Sequence, residues 1–81
     1  MAFIRRDNIK KQKERINGLT KREQEILIMI AKGMLNKEIA DELSITERTV
    51  KNHISNLFKK IDVYDRTQAA VYAIKNKIYN I

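Results

Sequence analysis

Residues 36–61 read NKEIADELSITERTVKNHISNLFKKI and contain two helical patterns separated by a short break. Asn36 can accept a hydrogen bond at the start of a short helix over residues 37–43. The inward side of this helix would consist of Ile39, Ala40 and Leu43. The period then breaks at Ser44 and Ile45, where Ser44 takes a turn position that suits a left-handed backbone. A first short helix and a turn are therefore predicted.

A longer helix follows the turn, over residues 47–60, with Thr46 as its cap. Its apolar residues recur at i, i+4, i+7 and i+11, which is one continuous stripe: Val50, Ile54, Leu57 and Ile61. A short helix, a turn of about three residues and a longer helix have the spacing of a helix-turn-helix. Ala40, a small residue, stands where the two helices would cross.

Capping signals predict one further helix on each side of this unit. Thr20 is followed three residues later by Glu23, a capping box that begins a helix over 21–32, and Gly33 can end it. Asp65 and Gln68 form a similar pair before a helix over 66–76. The expected fold is all-α, with four helices over 19–81 preceded by a basic N-terminal arm or linker over 1–18.

Composition limits the possible functions. The 81 residues allow one domain, and the absence of cysteine with a single histidine disfavours metal sites and disulfides. Seventeen Lys and Arg against ten Asp and Glu give a net charge of +7, which favours a polyanion such as nucleic acid or an anionic membrane. No signal peptide or run of about 18 apolar residues occurs. We expect a cytoplasmic protein without cofactor, metal, membrane or small-molecule ligand.

The side of the 47–60 helix opposite the apolar stripe is basic and polar. At 100° per residue, four side chains point outward, with Thr49, Lys51 and Asn56 on the flanks: Arg48, Asn52, Ser55 and Lys59. No carboxylate follows Glu47 in this helix. Amide, hydroxyl and basic groups suit base edges and phosphates in a DNA groove. We therefore expect this side of the helix to bind DNA. The alternative is that the chain is a helical protein-interaction module that binds an acidic partner.

Two other patterns favour packing over chemistry. His53 lies close to the inward direction and is interpreted as a partly buried packing residue. Glu23 and Glu25 are two positions apart and so point to different sides of a helix, which argues against paired acid-base catalysis. The chain is not expected to be an enzyme.

The apolar residues of the 66–76 helix and its extension cover more of the circumference than one packing face needs. We therefore expect an isologous homodimer formed through Val71, Ile74 and Ile78. The alternative is that the basic arm folds back over this patch.

Four motifs in order resemble the LuxR/NarL-type effector domain of bacterial regulators, a group that includes GerE and the output domains of DegU-like response regulators. The resemblance covers about residues 19–78 and rests on LTKRE (19–23), NKEIA (36–40), TVKNHISN (49–56) and DRTQA (65–69). It implies a transcription regulator in which the third helix reads the major groove of double-stranded DNA and the fourth mediates dimerisation. RNA polymerase would be a further partner, recruited or blocked.

The resemblance also implies roles for single residues. It assigns Lys51 and Asn52 to the bases, with Ser55 next along the same face. It assigns Lys37 and Thr49 to phosphates, and the helix geometry adds Thr46, Arg48 and Lys59 to this phosphate-contacting set. Both a free-standing regulator and an excised output domain fit the sequence, and the initial Met slightly favours the free-standing form.

Overall fold

A computed structural model of the chain describes residues 18–80, and within that range it contains four helices and no strand. They are α1 (Lys21–Ala31), α2 (Asn36–Leu43), α3 (Glu47–Ile61) and α4 (Arg66–Lys75). The predicted all-α class with four helices is confirmed. The predicted arm over 1–18 lies outside the described residues, apart from Gly18.

The start of α1 is the predicted capping box. The Thr20 side chain accepts the Glu23 N–H at 3.1 Å, and Glu23 Oε1 accepts the Thr20 N–H at 2.9 Å. Two backbone donors that the helix cannot satisfy are thus paired. After the last turn, Gly33 has a φ of 86°, a left-handed conformation that glycine adopts without steric cost.

The prediction that Asn36 caps α2 is wrong. Leu35 is the N-cap, and its N–H donates to Glu38 Oε1 at 2.7 Å, while its own side chain makes no capping bond. Asn36 is already the first helical residue, and its Oδ1 accepts a hydrogen bond from Arg66. The amide that local spacing assigned to a cap is used in a tertiary contact.

The turn between α2 and α3 consists of residues 44–46, as predicted. Ser44 has φ 56° and ψ 42°, the left-handed conformation expected at this position. Thr46 caps α3 by accepting the Thr49 N–H at 3.1 Å. The far end of α3 closes on Asp62, also left-handed with a φ of 57°.

Asp65 caps α4 as predicted, since its Oδ1 accepts the Gln68 N–H at 2.8 Å. The reciprocal half of the box differs from expectation. Gln68 Oε1 accepts the N–H of Tyr64 at 2.7 Å, one residue before the cap. The motif still pairs two backbone donors, but the second donor is the N–H of the loop residue Tyr64 and not that of Asp65.

The core lies where α1 packs against α3 and α4 while α2 packs against α3. The apolar stripe of α3 is buried as predicted: Val50, Ile54, Leu57 and Ile61. The other buried apolar residues are Leu19, Ile26, Leu27, Ile30, Ile39, Ala40, Ala69 and Ala73. Burial of each large aliphatic side chain contributes about 1.5 to 3 kcal/mol, so this cluster fixes which side of α3 faces inward.

Candidate nucleic-acid interface

The outward side of α3 carries a continuous set of exposed polar and basic residues, here called the α3 outer face: Arg48, Lys51, Asn52, Ser55 and Lys59. Four of them stand two positions before a member of the buried stripe, as Asn52 does before Ile54. Two residues rotate an α-helix by about 200°, so the two sets lie on opposite sides. Packing of the stripe therefore directs the outer face to solvent.

The side chains of the α3 outer face are not engaged elsewhere in the part of the chain that the structure describes. None of the five forms a side-chain hydrogen bond or an ion pair with another residue of that range. Their donors and acceptors are therefore available to an external ligand. Glu47 is the sole carboxylate of α3 and lies at the start of the helix, so the α3 outer face itself contains no negatively charged side chain.

Thr46 and Thr49 form a coupled pair at the N-terminus of α3. Their hydroxyl oxygens lie 2.9 Å apart, and either one can be the donor. Two hydroxyl groups contain two protons and this hydrogen bond uses one, so one O–H remains to donate outward. Thr46 is exposed and Thr49 is half-buried, which leaves the pair accessible to an anionic oxygen.

Lys37 lies in the first turn of α2 and is exposed. It lines an open depression together with Leu35, Asn36, Glu47 and Arg66. The depression thus joins the N-terminal turns of α2, α3 and α4. Its lining contains two cationic side chains, Lys37 and Arg66, and one carboxylate, Glu47, and the N-terminal ends of helices favour anions.

Two long-range contacts that sequence reasoning missed hold these elements in place. Lys60 Nζ donates to Glu23 Oε1 at 2.9 Å, which ties the last turn of α3 to the first turn of α1. Arg66, at the start of α4, donates to Asn36 Oδ1 at 2.7 Å and to the Met34 carbonyl. Local spacing gives no signal for either pair, because the partners are 37 and at least 30 residues apart in the chain.

The surroundings of the Glu23 carboxyl lower its pKa. Burial raises its pKa, but hydrogen bonds from Lys60 and Thr20 and the charge of Lys60 outweigh that effect and hold the pKa below its ordinary value. Glu25 forms only a long ion pair with Arg22, 3.8 Å between Nε and Oε1. The two carboxylates have separate partners, which agrees with a structural role rather than paired catalysis.

His53 is half-buried, as predicted for a packing residue. Residues 18–80 hold no cluster of three or more His, Cys, Asp or Glu side chains that could bind a metal ion. None of the helices in that range is both long and apolar enough to cross a membrane.

The three residues assigned to dimerisation do not occupy equivalent places. Val71 and Ile74 lie one turn apart on α4 and are 45% and 38% exposed. Ile78 lies beyond the end of α4, where its N–H donates to the Ala73 carbonyl at 2.8 Å and its half-buried side chain packs against the core. The exposed apolar surface of α4, here called the α4 patch, therefore consists of Val71 and Ile74.

The chain was compared with known proteins. Residues 17–73 match the family model of bacterial regulatory proteins of the luxR family, GerE. The transcriptional regulatory protein LiaR of Bacillus subtilis is 63% identical over 63 residues, which cover 78% of this chain and 30% of LiaR. The response regulator protein VraR of Staphylococcus aureus is 49% identical over 73 residues, which cover 90% of this chain and 35% of VraR. The aligned region is thus about a third of each relative. On this match and on its four-helix fold, the chain belongs to the luxR family of bacterial regulatory proteins, which are DNA-binding transcription regulators and not enzymes.

Proposed function

We propose that this domain binds specific sequences of double-stranded DNA by placing α3 in the major groove. The observation that carries the proposal is the contrast between the two sides of α3. The apolar stripe is buried, whereas the α3 outer face is exposed and polar and its side chains form no hydrogen bond or ion pair within residues 18–80. A major groove about 12 Å wide admits an α-helix with its side chains.

We assign base contacts to Lys51, Asn52 and Ser55. Asn52 can donate to and accept from adenine N7 and N6 as a bidentate pair, and Lys51 can donate to guanine O6 and N7. Ser55 is four positions after Lys51 and three after Asn52, so it continues the same surface by one turn. Its short hydroxyl can donate or accept and so discriminates less between bases.

We assign phosphate contacts to residues at the ends of this surface: Lys37, Thr46, Arg48, Thr49 and Lys59. Lys37 on α2 and Lys59 near the end of α3 would hold the backbone on either side of the reading helix. The remaining O–H of the Thr46–Thr49 pair points to the same role at the start of α3. Such contacts fix the register of a protein on DNA but carry no base information.

We further propose that two copies associate through the α4 patch and act on transcription in the cytoplasm, with RNA polymerase as a partner that is recruited or blocked. Val71 and Ile74 support the dimer, because exposed aliphatic side chains one turn apart on a helix can pair isologously. VraR is named a response regulator protein, which favours the output role of a response regulator over the free-standing role that the sequence slightly favours.

The dependence of binding on salt separates this function from a module that binds an acidic protein. Fluorescence anisotropy with a labelled duplex should show log affinity falling steeply with log salt, by about 0.9 for each phosphate contacted. The experiment also measures an acidic peptide under the same conditions. Tight binding of the peptide with weak, shallow binding of the duplex would support the protein-interaction alternative instead.

A further inference from the structure

The start of α2 is held by one side chain from another helix. Arg66 Nη1 donates to Asn36 Oδ1 at 2.7 Å, and Nη2 donates to the Met34 carbonyl. The two acceptors flank Leu35, the N-cap of α2. The guanidinium therefore binds the chain on both sides of the N-cap residue.

The other hydrogen bonds at this point of the described chain are local, and the half-buried Met34 side chain packs against the core. The Leu35 N–H bonds to Glu38 in the same turn, and the Met34 N–H bonds to the Met29 carbonyl at the end of α1. The Leu35 side chain is 66% exposed and so contributes little apolar anchoring. The first buried apolar residue of α2, Ile39, comes a turn later. Among the described residues, Arg66 thus provides the long-range polar contacts that hold the first turn.

We propose that Arg66 is a positioning residue for DNA binding, which sets the place of Lys37 relative to α3. Lys37 directly follows Asn36, and it lines the same depression as Arg66. Each terminal nitrogen of Arg66 donates one of its N–H groups to a protein acceptor, which holds the guanidinium against the start of α2, so the role assigned to it is exerted through Lys37. The inference rests on the proposed DNA-binding function.

An arginine is required because the two acceptors need two donors in one plane. A guanidinium offers paired N–H groups at fixed separation, whereas a lysine ammonium is a single point on a flexible stem. Arg66→Lys therefore keeps the charge and loses the two-point grip. Asn36→Ala tests the grip from the other side, since it removes one acceptor and leaves Arg66 intact.

The test is a double-mutant cycle with Arg66→Lys and Lys37→Ala in the 81-residue chain. Anisotropy is measured on a duplex that contains a single copy of the motif that the protein enriches from a random pool, so that dimerisation does not enter, and on a random duplex, at several salt concentrations. Circular dichroism fixes a temperature at which every variant is folded. Arg22→Lys is the matched control, because the ion pair of Arg22 is with Glu25 in the same helix, α1.

We expect Lys37→Ala to weaken both duplexes alike and to reduce the salt slope by about 1. Arg66→Lys should reproduce the same pattern. In the Lys37→Ala background it should cause little further loss of affinity, because both changes remove the same contact, that of Lys37 with DNA. Asn36→Ala should give a weaker form of the pattern, and Arg22→Lys should bind as the wild type does.

Additive losses of Arg66→Lys and Lys37→Ala would overturn the inference, since they would mean an independent contact of Arg66. Wild-type affinity and slope in folded Arg66→Lys would also overturn it. These outcomes leave the proposed function intact as long as Lys37→Ala changes the slope. If Lys37→Ala has no effect and the wild type does not distinguish the duplexes, the proposed function fails as well.

Discussion

Lys60 Nζ lies 2.9 Å from Glu23 Oε1, and the same carboxylate oxygen accepts the Thr20 N–H at 2.9 Å. One atom thus joins the cap of α1 to the last turn of α3. Glu23 is nearly buried, so the ion pair is shielded on one side from water, although Lys60 keeps part of its exposure. The contact links the last turn of α3 to the first turn of α1 and so adds to the apolar packing that directs the α3 outer face to solvent.

The first prediction concerns acid stability. The pKa of Glu23 is lower in the folded state than in the unfolded state. The ionised carboxylate therefore adds to the free energy of unfolding above the unfolded-state pKa, and this stabilisation is lost as pH falls through the folded-state pKa. Glu23→Gln should therefore be less stable than the wild type near neutral pH, and the difference should shrink below about pH 4 as Glu23 protonates. Urea unfolding from pH 3 to 7 measures it. A difference that is constant with pH would contradict the assignment.

The second prediction concerns base reading. Asn52→Ala should cost about 1 to 3 kcal/mol on the cognate duplex and little on a random duplex, because an asparagine that contacts a base contributes mainly to discrimination. Asn80→Ala, the same change at an exposed residue after α4, is the matched control and should bind as the wild type does. Equal losses on both duplexes for Asn52→Ala would refute its base-reading role.

The third prediction concerns the α4 patch. Ile74→Glu adds a charge at a residue that is already exposed, so the fold should survive while an isologous apolar contact is lost. Sedimentation should show a concentration-dependent dimer for the wild type and a monomer for the variant. Tyr64→Glu, at a side chain that is 84% exposed outside α4, should leave the dimer unchanged. A wild type that stays monomeric at high micromolar concentration and on DNA would exclude this dimer.

The fourth prediction concerns the turn. Ser44 has a φ of 56°, where a side chain costs about 1 to 2 kcal/mol that glycine does not incur. Ser44→Gly removes this cost, but the greater conformational freedom of glycine in the unfolded chain offsets part of the stabilisation. The substitution should therefore raise the free energy of unfolding by about 0.5 to 1 kcal/mol. Ser55→Gly, within α3, should lower it instead. Chemical denaturation checks both signs, and destabilisation by Ser44→Gly would show that the Ser44 side chain has a stabilising contact.

Whether a contact can be predicted from the sequence depends on how far apart its partners lie in the chain. The caps formed by Thr20, Thr46 and Asp65 were predictable, because a side chain that bonds to the backbone three residues later leaves a local signal. The buried stripe of α3 was predictable for the same reason, since its period is set by one helix. Asn36 was assigned wrongly because its amide has two uses, and the choice depends on Arg66, which is 30 residues away.

The residues of the candidate site also fall into those that could be predicted from the sequence and those that could not. The residues of the α3 outer face could be assigned from helical geometry once the stripe was known. Lys60 and Arg66 could not be distinguished from the other basic residues, because charge and composition do not reveal which cations are engaged inside the protein. Ile78 was grouped with Val71 and Ile74 by an extrapolated helix, but α4 ends at Lys75.

The central claim is that the α3 outer face reads a DNA sequence, and selection of bound duplexes from a random pool tests it most directly. At about 150 mM salt the non-specific phosphate contribution is already weakened. We expect enrichment of a repeated motif with half-sites about one helical turn apart, and we expect the Asn52→Ala variant to lose its preference at one base position. Folded wild-type protein that enriches no sequence would contradict the claim.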